Sequence, residues 1–489
     1  MSFNGNLMGL QGGQYCPLSH EQIEIIHEAS LTILEKTGMT YEQGIEDTIL
    51  MLEKNGAVID RDKQTIKFPR KMIIEQVAKA PEKVVLYGQD SKNDLHLTED
   101  RVHLGTGGAA IKILDPETGN ARPTTLKDLY DVSRLVDQLD NIHFLVKPCI
   151  ATDIPIEDYN VNWFYTCLAA SSKHVMSGVN DIKGLHDVIE MASLIAGGLD
   201  KLVKRPFISL TSCFAISPLK LCTQSTLIMQ EANRNLIPVA LSSAPMAGST
   251  SPLTMAGSLA QLHGEQLAGI TICQLTQPGS PVLYGGIPGL ANLKTMGYSG
   301  GAVEFGMMNA AIHQLSNHIQ VPNYNSAGLT DSKLPDAQAG YEKAFSALLA
   351  SMGGSNYIHH SAGMLESMLT IAHEQFVIDD EIIGNCCKVL KGIEVDAEHL
   401  ALEVIDSVGP GGNFITADHT MTHLRSEYYI GNGVTDRNIR EKWEKEGSID
   451  TRQRALDIAK KLLESPKPSY IPEEVDTAIR KKFNILLEV

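Results

Sequence analysis

Short apolar runs recur through the middle of this chain, at residues 142–148 (IHFLVKP), 174–179 (HVMSGV), 206–211 (PFISLT), 237–242 (IPVALS), 281–286 (PVLYGG), 321–326 (VPNYNS) and 356–361 (NYIHHS). Each is followed by a helix-like segment, and successive starts lie roughly 30 to 45 residues apart, the size of one βα unit. Seven such units need an eighth strand to close a barrel, and residues 102–114 (VHLGTGGAAIKIL) supply it. An open doubly wound sheet also alternates strand and helix, but it seldom needs eight units. The expected fold class is therefore α/β, a (β/α)8 TIM barrel.

The flanks read differently. Ser19 and Gln22 stand in capping-box spacing at the start of a helix that stops before Gly38, and AVIDRDKQTIKF (57–68) alternates around a turn like a hairpin. Residues 1–100 are thus expected to form an N-terminal α+β cap and 101–378 the barrel. From 379 the strand signal vanishes and helical patterns run almost to the end, interrupted by Gly409-Pro410-Gly411-Gly412. Residues 379–489 are expected to be a C-terminal helical extension, with 409–433 lying across the barrel mouth as a lid.

A net charge of −17 disfavours nucleic acid and anionic membrane, which need clustered Lys and Arg. No stretch of about 18 uncharged apolar residues occurs, and the N-terminus (MSFNGNLMGL) has neither a basic nor an apolar targeting region. The eight cysteines contain no CxxC pair, and adjacent Cys386-Cys387 read as core packing. These features fit a soluble cytoplasmic protein.

In a parallel barrel the functional site lies at the C-terminal strand ends. The ends here are polar but poor in charge, which suits a small cationic or zwitterionic ligand better than a polyphosphate. Candidate residues there are Asn180, Phe214, Tyr298, Tyr324, Asp331, His359 and His360, with Glu304 and Glu366 inside apolar helical runs just past a strand. Neighbours on a strand face opposite sides, so only one histidine is expected to point inward. Tyr357 shares the parity of His359 and Ile358 that of His360, which favours His359 inward, within reach of a ligand carboxylate or of Asp331. No metal is expected, because both histidines reach one ion only if the strand has already ended. Tyr428 and Tyr429 lie in the lid segment. Tyr298-Ser299-Gly300-Gly301 precedes a helix and offers free N–H groups to a carboxylate. Trp163, Phe164 and Tyr165 read as the apolar face of a barrel helix, and Lys333 as an exposed loop residue.

Four stretches together carry a resemblance: HLGTGGAAIKILD (103–115), GLTDSKLPDAQAGYEKA (328–344), YIHHSAGMLES (357–367) and GPGGNFITADHTMTHLRSEYY (409–429). They resemble the trimethylamine methyltransferase family, the MttB-like corrinoid methyltransferases, from about residue 20 to the C-terminus. The founding members carry pyrrolysine in the barrel, whereas this chain holds only the twenty standard residues. It is therefore similar to the non-pyrrolysine branch, whose members demethylate quaternary amines such as glycine betaine, proline betaine and carnitine. The resemblance implies methyl transfer to the Co(I) corrinoid of a separate corrinoid protein, with no corrinoid bound tightly by this chain, which has no DxHxxG signature, and a homo-oligomeric enzyme. A barrel lyase or isomerase acting on a small anion would need Gly-rich anion loops where TDSK and HHSAG stand. A noncatalytic betaine-binding protein would keep the site and show no turnover.

Overall fold

The computed structural model describes residues 9–466 and 469–488, so residues 1–8 of the N-terminal stretch read above lie outside the described residues. Among these, eight parallel strands close a barrel: β1 (Arg101–Thr106), β2 (Leu145–Val146), β3 (Val175–Ser177), β4 (Ile208–Ser212), β5 (Val239–Leu241), β6 (Val282–Gly285), β7 (Asn323–Ser326) and β8 (Tyr357–Ala362). Neighbours pair in sequence order from Leu145 opposite Val175 round to Tyr324 opposite Tyr357. Closure comes from Tyr357 opposite His103 and from the bridge between Gly105 and Phe144. All seven apolar runs hold a strand, and β1 opens the eighth. A two-residue strand, Leu10–Gln11, lies antiparallel to the start of β1.

Eight helices return outside the strands: α1 (Leu126–Asp137), α2 (Tyr159–Ala170), α3 (Ile182–Ala196), α4 (Thr223–Arg234), α5 (Met255–Thr276), α6 (Val303–His318), α7 (Ala337–Met352) and α8 (His373–Lys391). Local chemistry sets several starts. Thr125 and Asp128 form a capping box on α1, and the carboxylates of Asp181 and Asp336 accept the N–H of Gly184 and Ala339 at the first turns of α3 and α7. Helix α5 is buried almost all round, because the N-terminal helix His20–Thr32 covers the face it turns from the barrel. Ser30 Oγ donates to the Ala260 carbonyl at 2.8 Å across that contact.

The N-terminal end of the barrel is filled by a hairpin from the cap, strands Val84–Leu86 and Leu95–Leu97. Val84, Leu86, Leu95 and Leu97 form one buried cluster with the inward side chains Phe144, Val146, Met176, Ala240, Leu283, Tyr324 and Tyr357. Each fully buried aliphatic side chain stabilises by about 2 kcal/mol relative to exposure. The plug thus has an energetic reason to stay seated.

Two expectations for the C-terminal part are corrected. Helix α8 runs through residue 379, so the extension begins after Lys391 rather than at 379. Barrel helices run opposite to the strands, so α8 ends at the N-terminal face of the barrel and the chain continues there. Segment 409–433 consequently does not cross the mouth. Tyr429 packs on Gly384 of α8 and its hydroxyl accepts from Asn141 Nδ2 at 3.3 Å, while Asn432 donates to Asp380 of α8 at 3.2 Å. Tyr428 is exposed. The chain then returns as helix Thr451–Leu463 against α8 and α1, and helix Glu473–Lys482 against α3. Cys386 and Cys387 are buried in α8. Among the described residues no helix is long and apolar enough to cross a membrane.

Candidate active site

Strand β8 ends in a departure from strand geometry. Its register against β1 shifts between Ile358 and Ala362, and His360 sits at φ 65°. Regular alternation would place His359 and His360 on opposite faces. The left-handed residue cancels the alternation, and the two rings lie side by side with centroids 3.7 Å apart. His359 therefore faces inward as expected, and His360 does so too. The ring of His359 stacks on Tyr324 at 4.3 Å, and His360 Nδ1 lies 2.7 Å from Ser326 Oγ. Tyr324 and Ser326 share one face of β7, two residues apart. Glycine at 107 makes room for this bulge, since a Cβ there would come 2.6 Å from the His360 backbone nitrogen.

The inward positions define a chamber. Its floor is a layer of rings: Phe144 stacks on Tyr357 at 3.6 Å, and Tyr357 lies 6.2 Å from Tyr324. One residue pair further along the same strands, on the same face, stand Pro148, Gly178, Ser242, Gly285, Ser326 and His359. None carries a fixed charge and most are small. Lys147 has the opposite parity to Val146 and lays its ammonium 5.3 and 5.5 Å from the ring centroids of Tyr159 and Trp163 in α2.

Burial keeps the chamber neutral. It drives His359 well below the ordinary imidazole range, with the neighbouring His360 adding to it, and it takes His360 to about 3, with the charge of Lys343 adding to it. His359 Nε2 is buried without a hydrogen-bond partner. Burial likewise raises the Tyr324 phenol. Beside this layer, Lys343 of α7 and Asp379 of α8 form a fully buried ion pair at 3.2 Å. The ammonium donates to the carbonyls of Gly328 and Met364, and the carboxylate accepts from Gly363 N at 2.7 Å and Gln375 Nε2 at 2.9 Å. The pair thereby holds the loops that follow β7 and β8 in one relative position.

Of the residues singled out in the sequence, Tyr324, His359 and His360 come together. The others lie elsewhere. Asp331 does not meet the histidines: it accepts from Ser299 Oγ at 2.6 Å, Gly300 N at 3.0 Å, Gly301 N at 3.4 Å and Ser367 Oγ, tying together the loops after β6, β7 and β8. The N–H groups of Gly300 and Gly301 are thus engaged by the chain's own carboxylate. Tyr298 is half-buried on the same loop, edge-on to Phe305 at 6.4 Å. Glu304 is half-buried in the first turn of α6, and Glu366 accepts from Thr370 Oγ1 at 2.9 Å. Phe214 packs against Gly269 of α5, outside the chamber, and Asn180 is exposed, its backbone N–H donating to Asn160 at 3.1 Å. Lys333 is exposed and bonds the Asp331 carbonyl at 2.7 Å. Sequence reasoning missed Ser326, legible as the same-face neighbour of Tyr324, and Ser242. It also missed the Lys343–Asp379 pair, which only the packing of α7 on α8 creates.

A closed (β/α)8 barrel, stopped at one end and lined by rings and neutral side chains at the strand C-termini, defines the class of barrel protein to which this chain belongs. Comparison with known proteins narrows the class. The description "Trimethylamine methyltransferase (MTTB)" matches residues 8–484, and the chain belongs to this family of methyltransferases. It is 34% identical over 471 residues to the trimethylamine methyltransferase MttB of Desulfitobacterium hafniense (strain DSM 10664 / DCB-2), covering 96% of this chain and 94% of that protein. It is 30% identical over 481 residues to the glycine betaine methyltransferase of D. hafniense (strain Y51), covering 97% of each. Among solved structures, the Methanosarcina barkeri monomethylamine methyltransferase (MtmB) superposes with a TM-score of 0.51 at 11% identity, over 93% of this chain and 95% of that one, which is a likeness of fold.

Proposed function

We propose that this chain moves a methyl group from a quaternary amine of the betaine type to the Co(I) corrinoid of a separate corrinoid protein. The observation that carries the reading is the chamber itself: electron-rich ring faces, neutral imidazoles and hydroxyls, with no fixed charge among them. A trimethylammonium group has no N–H to donate and is attracted by aromatic faces. Co(I), the methyl acceptor, is a strong nucleophile, and a quaternary ammonium releases a neutral tertiary amine, so no general acid is required. Trimethylamine lacks that leaving group, and histidines held neutral by burial cannot supply the proton. The work left to the chain is to hold one N–CH3 group in line with the acceptor and to exclude water, roles this reading gives to Tyr324, His359 and the floor rings. His359, His360 and Tyr324 are the substrate-binding residues in this reading, with Asp331, Tyr298, Glu304 and Glu366 shaping the loops around them.

The relatives named for glycine betaine and for trimethylamine make the amine class the point to test. Incubating the protein with Co(I) corrinoid protein and glycine betaine, proline betaine, carnitine or trimethylamine, while following the cobalt absorbance, is expected to show turnover of a quaternary amine and none of trimethylamine. Trimethylamine turnover at a comparable rate would overturn the reading, and binding of betaine without methyl transfer would favour a noncatalytic binding protein. The eight cysteines, all unpaired, support a reducing cytoplasmic location. Exposed Ile393, Leu402, Ile405, Ile415, Met421 and Ile430 on the extension support a homo-oligomer.

A further inference from the structure

The segment after α8 contains three short helices, Ala397–Leu400, Leu402–Val408 and Asp418–Glu427, and none of them buries a single side chain. Isolated helices of this length are marginal in water, and small units without a core of their own need another device to hold them. On the third helix His419, His423 and Glu427 recur at i, i+4 and i+8, so they share one face. That face turns toward His399 of the first helix. The rings of His399 and His423 are 5.2 Å apart, and those of His419 and His423 are 4.3 Å apart.

We propose that His399, His423 and Glu427 bind a divalent transition-metal ion of the zinc class, which fastens the first of these helices to the third at the N-terminal face of the barrel. One ligand atom from each residue lies within 4.8 Å of the others. A tetrahedral ion with bonds of about 2.1 Å needs donors about 3.4 Å apart, a difference that small side-chain rotations close. The surroundings are those of a metal-binding imidazole. Asp396 Oδ1 lies 2.8 Å from His399 Nδ1 and orients the ring, leaving Nε2 to face Glu427 Oε1 at 3.8 Å and Glu394 Oε2 at 3.6 Å. Glu398 Oε1 stands 3.2 Å from His423 Nε2, a further carboxylate beside the ligand set. The imidazole side chains are 18% and 13% exposed, half-sheltered rather than free to rotate in solvent. His399, Glu394 and Glu427 also line a cavity of about 850 Å³ between the extension and the barrel. Two imidazoles with carboxylates suit Zn2+, Co2+ or Ni2+ better than Mg2+ or Ca2+, which prefer oxygen alone.

The test uses the full chain, stripped with a chelator and reloaded with Zn2+ or Co2+. Elemental analysis is expected to find one tightly held equivalent per chain, and Co2+ to develop visible bands of a low-symmetry site. His399→Ala and His423→Ala should weaken affinity 100-fold or more, and Asp396→Asn about 10-fold through loss of the orienting carboxylate. His20→Ala and His186→Ala, at exposed sites elsewhere, should change nothing. Zn2+ should also slow proteolysis between residues 392 and 435 in the wild type and fail to do so in His423→Ala. Should the alanine variants misfold, Glu427→Gln at the exposed helix end reads the same site and should lower affinity about 10-fold. Substoichiometric metal in the reloaded wild type, or equal binding by wild type and the His399 and Glu427 variants, would overturn the proposal.

Discussion

His360 holds a left-handed backbone, φ 65°, which costs a non-glycine residue about 1 kcal/mol or more and persists only where the surroundings enforce it. Here they are Ser326 on one side and the close approach of Gly107 on the other. Parity alone, read from YIHHSAG, correctly turned His359 inward but put His360 outside, because a bulge set by a neighbouring strand leaves no mark in a single sequence. Two outcomes belong to this scale. His359→Ala, which removes the ring stacked on Tyr324, should lower kcat/KM for the quaternary amine at least 10-fold, about 1.4 kcal/mol. An unaltered kcat/KM in the corrinoid assay would take His359 out of the site. Lys343→Met should be different in kind. It strands the Asp379 carboxyl, which burial already pushes up to about 6 against the pull of Lys343, and should cost about 3–5 kcal/mol in denaturant unfolding. Asp331, by contrast, had the composition of a ligand-binding residue, and only the fold reveals that donors from the two neighbouring loops use up its oxygens.

At the scale of elements, strands such as β2, β3, β5 and β6 were legible because they are buried on both faces and read as short apolar runs, whereas β7 (NYNS) and β8 (YIHHSA) are buried with polar residues and were legible mainly by their spacing in the βα series. Strand β2 spans only Leu145–Val146, yet its run is seven residues long, so position was easier to read than extent. Placement of the extension was not legible: its helices are polar and short, and their address depends on which end of the barrel α8 leaves from. Tyr429 tests that address. Tyr429→Phe removes a hydroxyl that accepts from Asn141 beneath the barrel, far from the chamber. Stability should fall by about 0.5–1.5 kcal/mol while KM for the amine stays within about two-fold. A large change in KM with unchanged stability would return the segment to the mouth.

For the molecule as a whole, the many buried neutral histidines set its response to acid. Burial holds His103 and His174 at about 4, and His143 and His360 at about 3, against about 6.5 in an unfolded chain. Folded values are depressed, so between pH 6.5 and about 4 the unfolded chain binds protons that the native one refuses, and stability falls as pH falls. Each histidine contributes about 1.4 kcal/mol per pH unit in that window, and the four together about 5 kcal/mol between pH 7.5 and 5.5. That is a large share of the roughly 5–15 kcal/mol available to a domain. Denaturant midpoints that stay level over this range would refute the assignment. The hairpin seated in the N-terminal end of the barrel has a consequence for the order of events. A barrel stopped at one end has a single doorway, so under the proposed reaction the amine must enter before the corrinoid protein docks over it, and the demethylated amine can leave only after that protein departs. Steady-state kinetics should therefore be compulsory-ordered, with the amine as first substrate and last product. Excess corrinoid protein should inhibit by closing the entrance on an empty chamber.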